Sequence, residues 1–111
     1  MNINVTEENG IVIVAVEGDI DAATAPQLRE RFDELLAEGE HSYVIDMAGV
    51  EFMDSSGLAA LVRLFKRVRI GEGDVRLCGV RSEVLKIFEL TRLNRVFDIF
   101  ETRAEAVESF P

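Results

Sequence analysis

The stretch from Ser42 to Phe65, SYVIDMAGVEFMDSSGLAALVRLF, decides the fold. Its first six residues, SYVIDM (42–47), make a short, nearly continuous apolar run, the pattern of a strand covered on both faces. Past Ser56 the period changes. Leu58, Leu61, Val62, Phe65 and, just beyond, Val68 fall on one face of a helix, while Arg63, Lys66, Arg67 and Arg69 gather toward its end, where cations complement the helix dipole. Gly71 and Gly73 stop it. The loop AGVEFMD between the two is short, so a buried strand hands directly to an amphipathic helix. At the junction, Asp54-Ser55-Ser56 have the chemistry of a helix N-cap, whose oxygens accept amide hydrogens left unpaired in the first turn. Gly57 fits that role less well, because glycine in a first turn costs about 1 kcal/mol of helix propensity relative to alanine. It leaves room for something to approach the backbone.

Upstream, INV (3–5) and IVIVAVE (11–17) flank Asn9-Gly10, a pair suited to the positive φ angles of a tight hairpin turn. The following helix carries Leu28, Phe32, Leu35 and Leu36 on one face and ends at Gly39. Thr24 and Gln27 have capping-box spacing at its start, and Pro26 sits in the tolerant first turn. Downstream, VRLCGV (75–80) reads as a strand, and Ser82 as the cap of a helix running to about Leu90 with Val84, Leu85 and Phe88 inward. RVFDIF (95–100) reads as a closing strand. Thr102 and Glu105 repeat the capping-box spacing for a last helix through Val107. A hairpin followed by alternating helices and strands predicts one α/β domain over residues 1–111: a mixed five-stranded sheet beginning with an antiparallel hairpin, and about four helices packed against it.

Composition narrows the function. With 48% hydrophobic and 30% charged residues, the 111-residue chain has the balance of a folded globular domain. The net charge of −9 argues against direct nucleic-acid binding, since phosphates would be repelled. That charge is uneven: Met1 to Asp54 holds 13 acids against Arg29 and Arg31, whereas Ser55 to Pro111 holds 8 acids against 10 bases. The asymmetry reads either as solvated helix faces or as steering of a protein partner, for which an acidic first half suits a basic groove. No run approaches the roughly 18 apolar residues of a membrane helix, and Met1-Asn2-Ile3-Asn4 lacks the features of a signal peptide, so no membrane insertion and a cytoplasmic location are expected. Cys78 and His41 are each single, which leaves no metal-binding cluster, and Cys78 reads as a small buried residue. No cofactor is expected.

Four readings of Asp54-Ser55-Ser56 stand side by side. The first is a plain cap. The second is a nucleophile elbow, but Met53 and Asp54 occupy the positions where Gly-x-Ser-x-Gly requires glycine, and His41 falls at the wrong end of its strand to serve as base. The third moves the chemistry to Asp46 as a receiver-type phosphoacceptor, for which the acidic pair after the first strand is missing. The fourth makes a serine the target of phosphorylation. A phosphoserine carries about −1.5 to −2 charges, and a helix start accommodates that charge.

The segments EGDIDAATAPQL (17–28) and VEFMDSSGLAALV (50–62) resemble the STAS domain of anti-sigma factor antagonists, and the hairpin-first order fits along nearly the whole chain. The resemblance implies a switch rather than an enzyme. Ser55 takes the position that an anti-sigma factor serine kinase phosphorylates. The unmodified form binds that kinase and releases a sigma factor, and a metal-dependent serine phosphatase restores it. By the same resemblance Asp21, in Gly18-Asp19-Ile20-Asp21, and Asp54 belong to the partner-binding surface, with Thr24, Ser56 and Gly57 beside them. On their own chemistry Asp21 would only order its loop, and Asp54 would be the cap. An alternative is also implied, a STAS regulator or subunit acting on a non-sigma target such as a lipid-transport complex.

Overall fold

The computed structural model describes residues 1–111. Five strands form one sheet in chain order: β1 (Asn2–Glu8), β2 (Ile11–Glu17), β3 (Ser42–Gly49), β4 (Asp74–Cys78) and β5 (Asp98–Phe100). β1 and β2 pair antiparallel across the Asn9-Gly10 turn, where φ is +54° and +79°, a conformation that glycine adopts without cost. All later pairings are parallel, each connected through a helix: α1 (Ala25–Ala37), α2 (Ser55–Ile70) and α3 (Ser82–Leu90). A terminal helix, α4 (Arg103–Glu108), follows β5. The predicted mixed α/β sheet is the observed one.

Alternation along the strands divides the core. One side chain set, including Val12, Val14, Val16, Tyr43, Ile45, Met47, Val75 and Leu77, meets α1, α2 and α3 in a cluster of 22 buried residues. The opposite set, Ile11, Ile13, Val44 and Cys78, meets Ala106 and Val107 of α4, with Phe100 and Phe110 packed at the margin. β2 and β3 are therefore buried on both faces, as their unbroken apolar runs require. Leu64 joins Leu58, Leu61 and Val68 as the buried stripe of α2, with Val62 and Phe65 at its margin.

Several local expectations need correction. Thr24 precedes α1 but makes no capping box, because its hydroxyl is already engaged upstream: it accepts the Asp21 N–H (3.0 Å) and donates to the Asp19 carbonyl (2.8 Å). Ser82 is the first helical residue of α3, not its cap. The cap position belongs to Arg81, whose side chain instead donates to the Ala48 carbonyl (2.9 Å). β3 extends two residues further than predicted, to Gly49. The closing strand is shorter than 95–100: Leu93–Arg95 form a single 3-10 turn, and Phe97 is buried between Phe65 and Phe88 in edge-to-face contacts of 5.1 and 5.8 Å. Packing of that ring outweighs the strand preference of the segment. The basic end of α2 does more than complement a dipole. Arg63 pairs with Asp33 of α1 (2.6 Å), Arg67 approaches the same carboxylate (3.7 Å), and Arg69 lies 3.7 Å from Asp74.

Candidate functional site

The loops that leave β2 and β3 at the carboxyl edge of the sheet run side by side and build the site together. Glu17 pairs with Gly49, and the Gly18 N–H donates to the Gly49 carbonyl (3.0 Å). The pairing then resumes as an isolated parallel bridge between Ile20 and Met53. There the Ile20 N–H donates to the Phe52 carbonyl (2.9 Å) and the Asp54 N–H to the Ile20 carbonyl (3.1 Å). Ile20 and Met53 turn inward and are buried, so the acidic segment around Asp21 is fastened beside Asp54-Ser55.

Asp54 resolves the capping question. Its backbone is extended (φ −104°, ψ −171°), and one carboxylate oxygen accepts the N–H groups of Ser56 (2.8 Å) and Gly57 (3.4 Å). The acid is the N-cap. Ser55 is the first residue of the helix, is exposed, and stands outside the capping arrangement; Ser56 is half-buried beside it. The open first end of a 16-residue helix also gives Ser55 the positive end of the dipole.

Asp21 and Thr24 form the facing loop. Asp21 accepts the N–H groups of Ala23 (2.9 Å) and Thr24 (3.1 Å), with the Thr24 hydroxyl 3.2 Å away. Both side chains thus order the loop joined to the start of α2 through the Ile20–Met53 bridge. Gly57 differs from expectation. It is buried, and a β-carbon there would lie 2.6 Å from Ile20 Cγ2 and 2.6 Å from Met53 Cγ. The space its missing side chain leaves is filled from within, by the pair that joins the two loops.

The rival chemistries find no geometry. His41 lies at the entry of β3, its carbonyl accepting the Asp74 N–H (3.0 Å) past the far end of α2, about 24 Å of helix from Ser55. Asp46 is committed to Arg103 of α4 (2.8 and 3.1 Å) and to the Ala48 N–H (3.0 Å). Cys78 is buried, and burial first, with Asp46 adding to it, pushes its thiol up to about 12, so it stays protonated and inert. None of the surface cavities is lined by Ser55. No helix is long and apolar enough to cross a membrane.

The structure also exposes a residue that the sequence pattern hides. Phe52 lies in the loop between β3 and α2 beside Met53, and it is 52% exposed while Val50 and Met53 are buried. The available signal was the neighbour: of two consecutive apolar side chains in an extended segment, only one can face inward.

Relatives agree with this architecture. The chain is 30% identical over 99 residues to the anti-sigma-B factor antagonist of Bacillus subtilis, covering 89% of this chain and 90% of the relative. It is 32% identical over 92 residues to that of Listeria monocytogenes, covering 83% and 81%. The solved structure of an anti-sigma factor antagonist from Mycobacterium paratuberculosis superposes with a TM-score of 0.90 at 27% identity, covering 97% of this chain and 92% of that one. The family model described as the STAS domain matches residues 2–106, and the chain belongs to that family.

Proposed function

We propose that this protein is an anti-sigma factor antagonist operated by phosphorylation of Ser55. The observation that carries the reading is the division of labour at the start of α2: Asp54 caps the helix, so the exposed Ser55 hydroxyl has no structural duty. In the unmodified state the surface formed by Asp21, Thr24, Asp54, Ser55 and Ser56 docks an anti-sigma factor serine kinase and displaces the sigma factor it holds. Ser55 Oγ then attacks the γ-phosphorus of ATP on the kinase, ADP departs, and the hydroxyl proton passes to a base of the kinase. The helix dipole tolerates the new dianion without unfolding, but the charge now stands beside Asp54 on the surface the partner must cover. Binding weakens, and a metal-dependent serine phosphatase resets the switch. Names of the relatives, antagonists of anti-sigma factors in Bacillus and Listeria, support the choice of partner.

The test couples capture to mapping. A Ser55→Ala bait is expected to retain an anti-sigma factor kinase, and that kinase with ATP is expected to modify wild-type Ser55 and no other residue. Phosphate on Ser56, or stoichiometric modification of the Ser55→Ala protein, sinks the reading.

A further inference from the structure

We infer that Phe52 is the apolar anchor by which the kinase grips this protein, and that the kinase surface opposite Ser55 is an apolar socket edged by basic side chains. The inference rests on the proposed phosphorylation of Ser55. A protein that delivers a phosphoryl group to Ser55 must cover the surface around it, and an ordinary interface spans about 800 Å² on each partner. Phe52, three residues upstream in the same loop, falls inside any such patch.

Its presentation is fixed by the backbone. The Phe52 carbonyl accepts the Ile20 N–H, and buried Met53 pins the next position, so the ring is held outward rather than free to fold back. An aromatic ring held half in water is unfavourable in the free protein, and an aromatic near the centre of an interface is where binding energy concentrates. The other exposed large apolar side chains belong to other segments: Ile70 at the last residue of α2, Leu90 at the last residue of α3, and Val96 just after the 3-10 turn.

Charge specifies the rim. Asp19, which precedes the Ile20 bridge, and Glu51, which precedes Phe52, are both exposed, and the Glu51 carboxylate reaches only Arg81, at 4.0 Å. Asp54 stands on the other side of the ring in sequence. An apolar centre flanked by carboxylates complements an apolar hollow flanked by lysine or arginine, and disfavours an acidic or a uniformly polar partner.

The experiment uses the full chain and, as probe, the purified anti-sigma factor serine kinase of the organism that encodes it. Phe52→Ala is expected to weaken kinase binding at least tenfold by calorimetry and to slow phosphorylation of Ser55 at subsaturating concentration, with unchanged circular dichroism. Phe52→Leu is expected to recover part of the affinity, because an aliphatic side chain still enters an apolar socket. Leu90→Ala, which truncates a still more exposed apolar side chain at the far end of α3, is expected to leave binding as in wild type. The double change Asp19→Asn with Glu51→Gln is expected to lower the association rate and flatten its dependence on salt. If Ser55 is phosphorylated normally and Phe52→Ala binds within threefold of wild type, the anchor is wrong while the switch stands. If wild type shows no phosphate at Ser55, the switch fails and the anchor with it.

Discussion

Helices α2 and α4 meet the same problem at their first turns and solve it with different atoms. At α4, Thr102 accepts the Glu105 N–H (3.2 Å), and the Glu105 carboxylate takes the Thr102 N–H (3.1 Å) and hydroxyl proton (3.1 Å). Every polar group of that box is used by the helix itself. At α2 a single carboxylate, Asp54, serves two amides, and the serine that follows is left over. A hydroxyl cap closes a helix end, whereas an acid cap followed by serine closes it and still presents a hydroxyl. The contrast separates a structural terminus from one available for chemistry.

The most damaging change expected at either terminus is Gly57→Val. Its new carbons enter space held by Ile20 and Met53, and overpacking of this kind costs about 3 kcal/mol, which a lowered urea midpoint reports. At the matching third position of α4 stands Glu105, which is exposed. Removing the caps comes next. Asp54→Ala is expected to lose about 1–2 kcal/mol, since two amides are orphaned, and Thr102→Ala about 1 kcal/mol. Similar losses on equal denaturant titrations would show that the acid has no advantage over the hydroxyl.

Acid titration ranks third and isolates the flank of α2 from its cap. The Asp33 carboxyl is held below the ordinary carboxylate value of 3.8, first by the hydrogen bond from Arg63 and then by nearby arginine charge, with burial opposing. Because the folded value is the lower one, this stabilisation is complete above the unfolded value and disappears as pH falls through the folded one. The pair is nearly half exposed and solvent-screened, so the loss is expected to stay below about 1 kcal/mol. Urea midpoints followed downward from about pH 4 should therefore fall less steeply in Asp33→Asn.

The smallest effect on stability is expected from Ser55→Asp. If Asp54 is the cap, melting should change by less than about 0.5 kcal/mol, because the substituted position has no structural partner and faces a favourable dipole. Kinase binding should nevertheless weaken, and authentic phosphoserine should weaken it at least tenfold, about 1.4 kcal/mol. Equal binding by the phosphorylated and unmodified forms would reduce α2 to another structural terminus like α4. Charge reversal of Lys66, the one cation of α2 without an ion pair, is expected to alter affinity by less than about 1 kcal/mol, as for a screened rim charge.

What could be read in advance depended on how local the deciding contact was. Asn9-Gly10, the apolar runs of β2 and β3, and the Thr102-Glu105 box are settled within a few residues, and each was legible. Thr24-Gln27 has the same spacing as Thr102-Glu105 but a different outcome, because Asp21 and Asp19 compete for the Thr24 hydroxyl. Phe97 left its expected strand for partners on α2 and α3, and Gly57 owes its place to Ile20 in a distant loop. The site followed the same rule. Asp54 and Ser55 could be named from the motif, but which of them served as cap, and that Phe52 faced outward, required the third dimension.

The Ile20–Met53 bridge has a kinetic corollary. Loops that stay disordered until a partner arrives lose conformational entropy during association, and their encounter waits on a rearrangement. Here two backbone hydrogen bonds and a shared buried pair order both loops when the domain folds. The entropy is surrendered once, at folding, so under the proposed function the docking surface would meet the kinase as a preformed template, with the rate of encounter left to diffusion and charge.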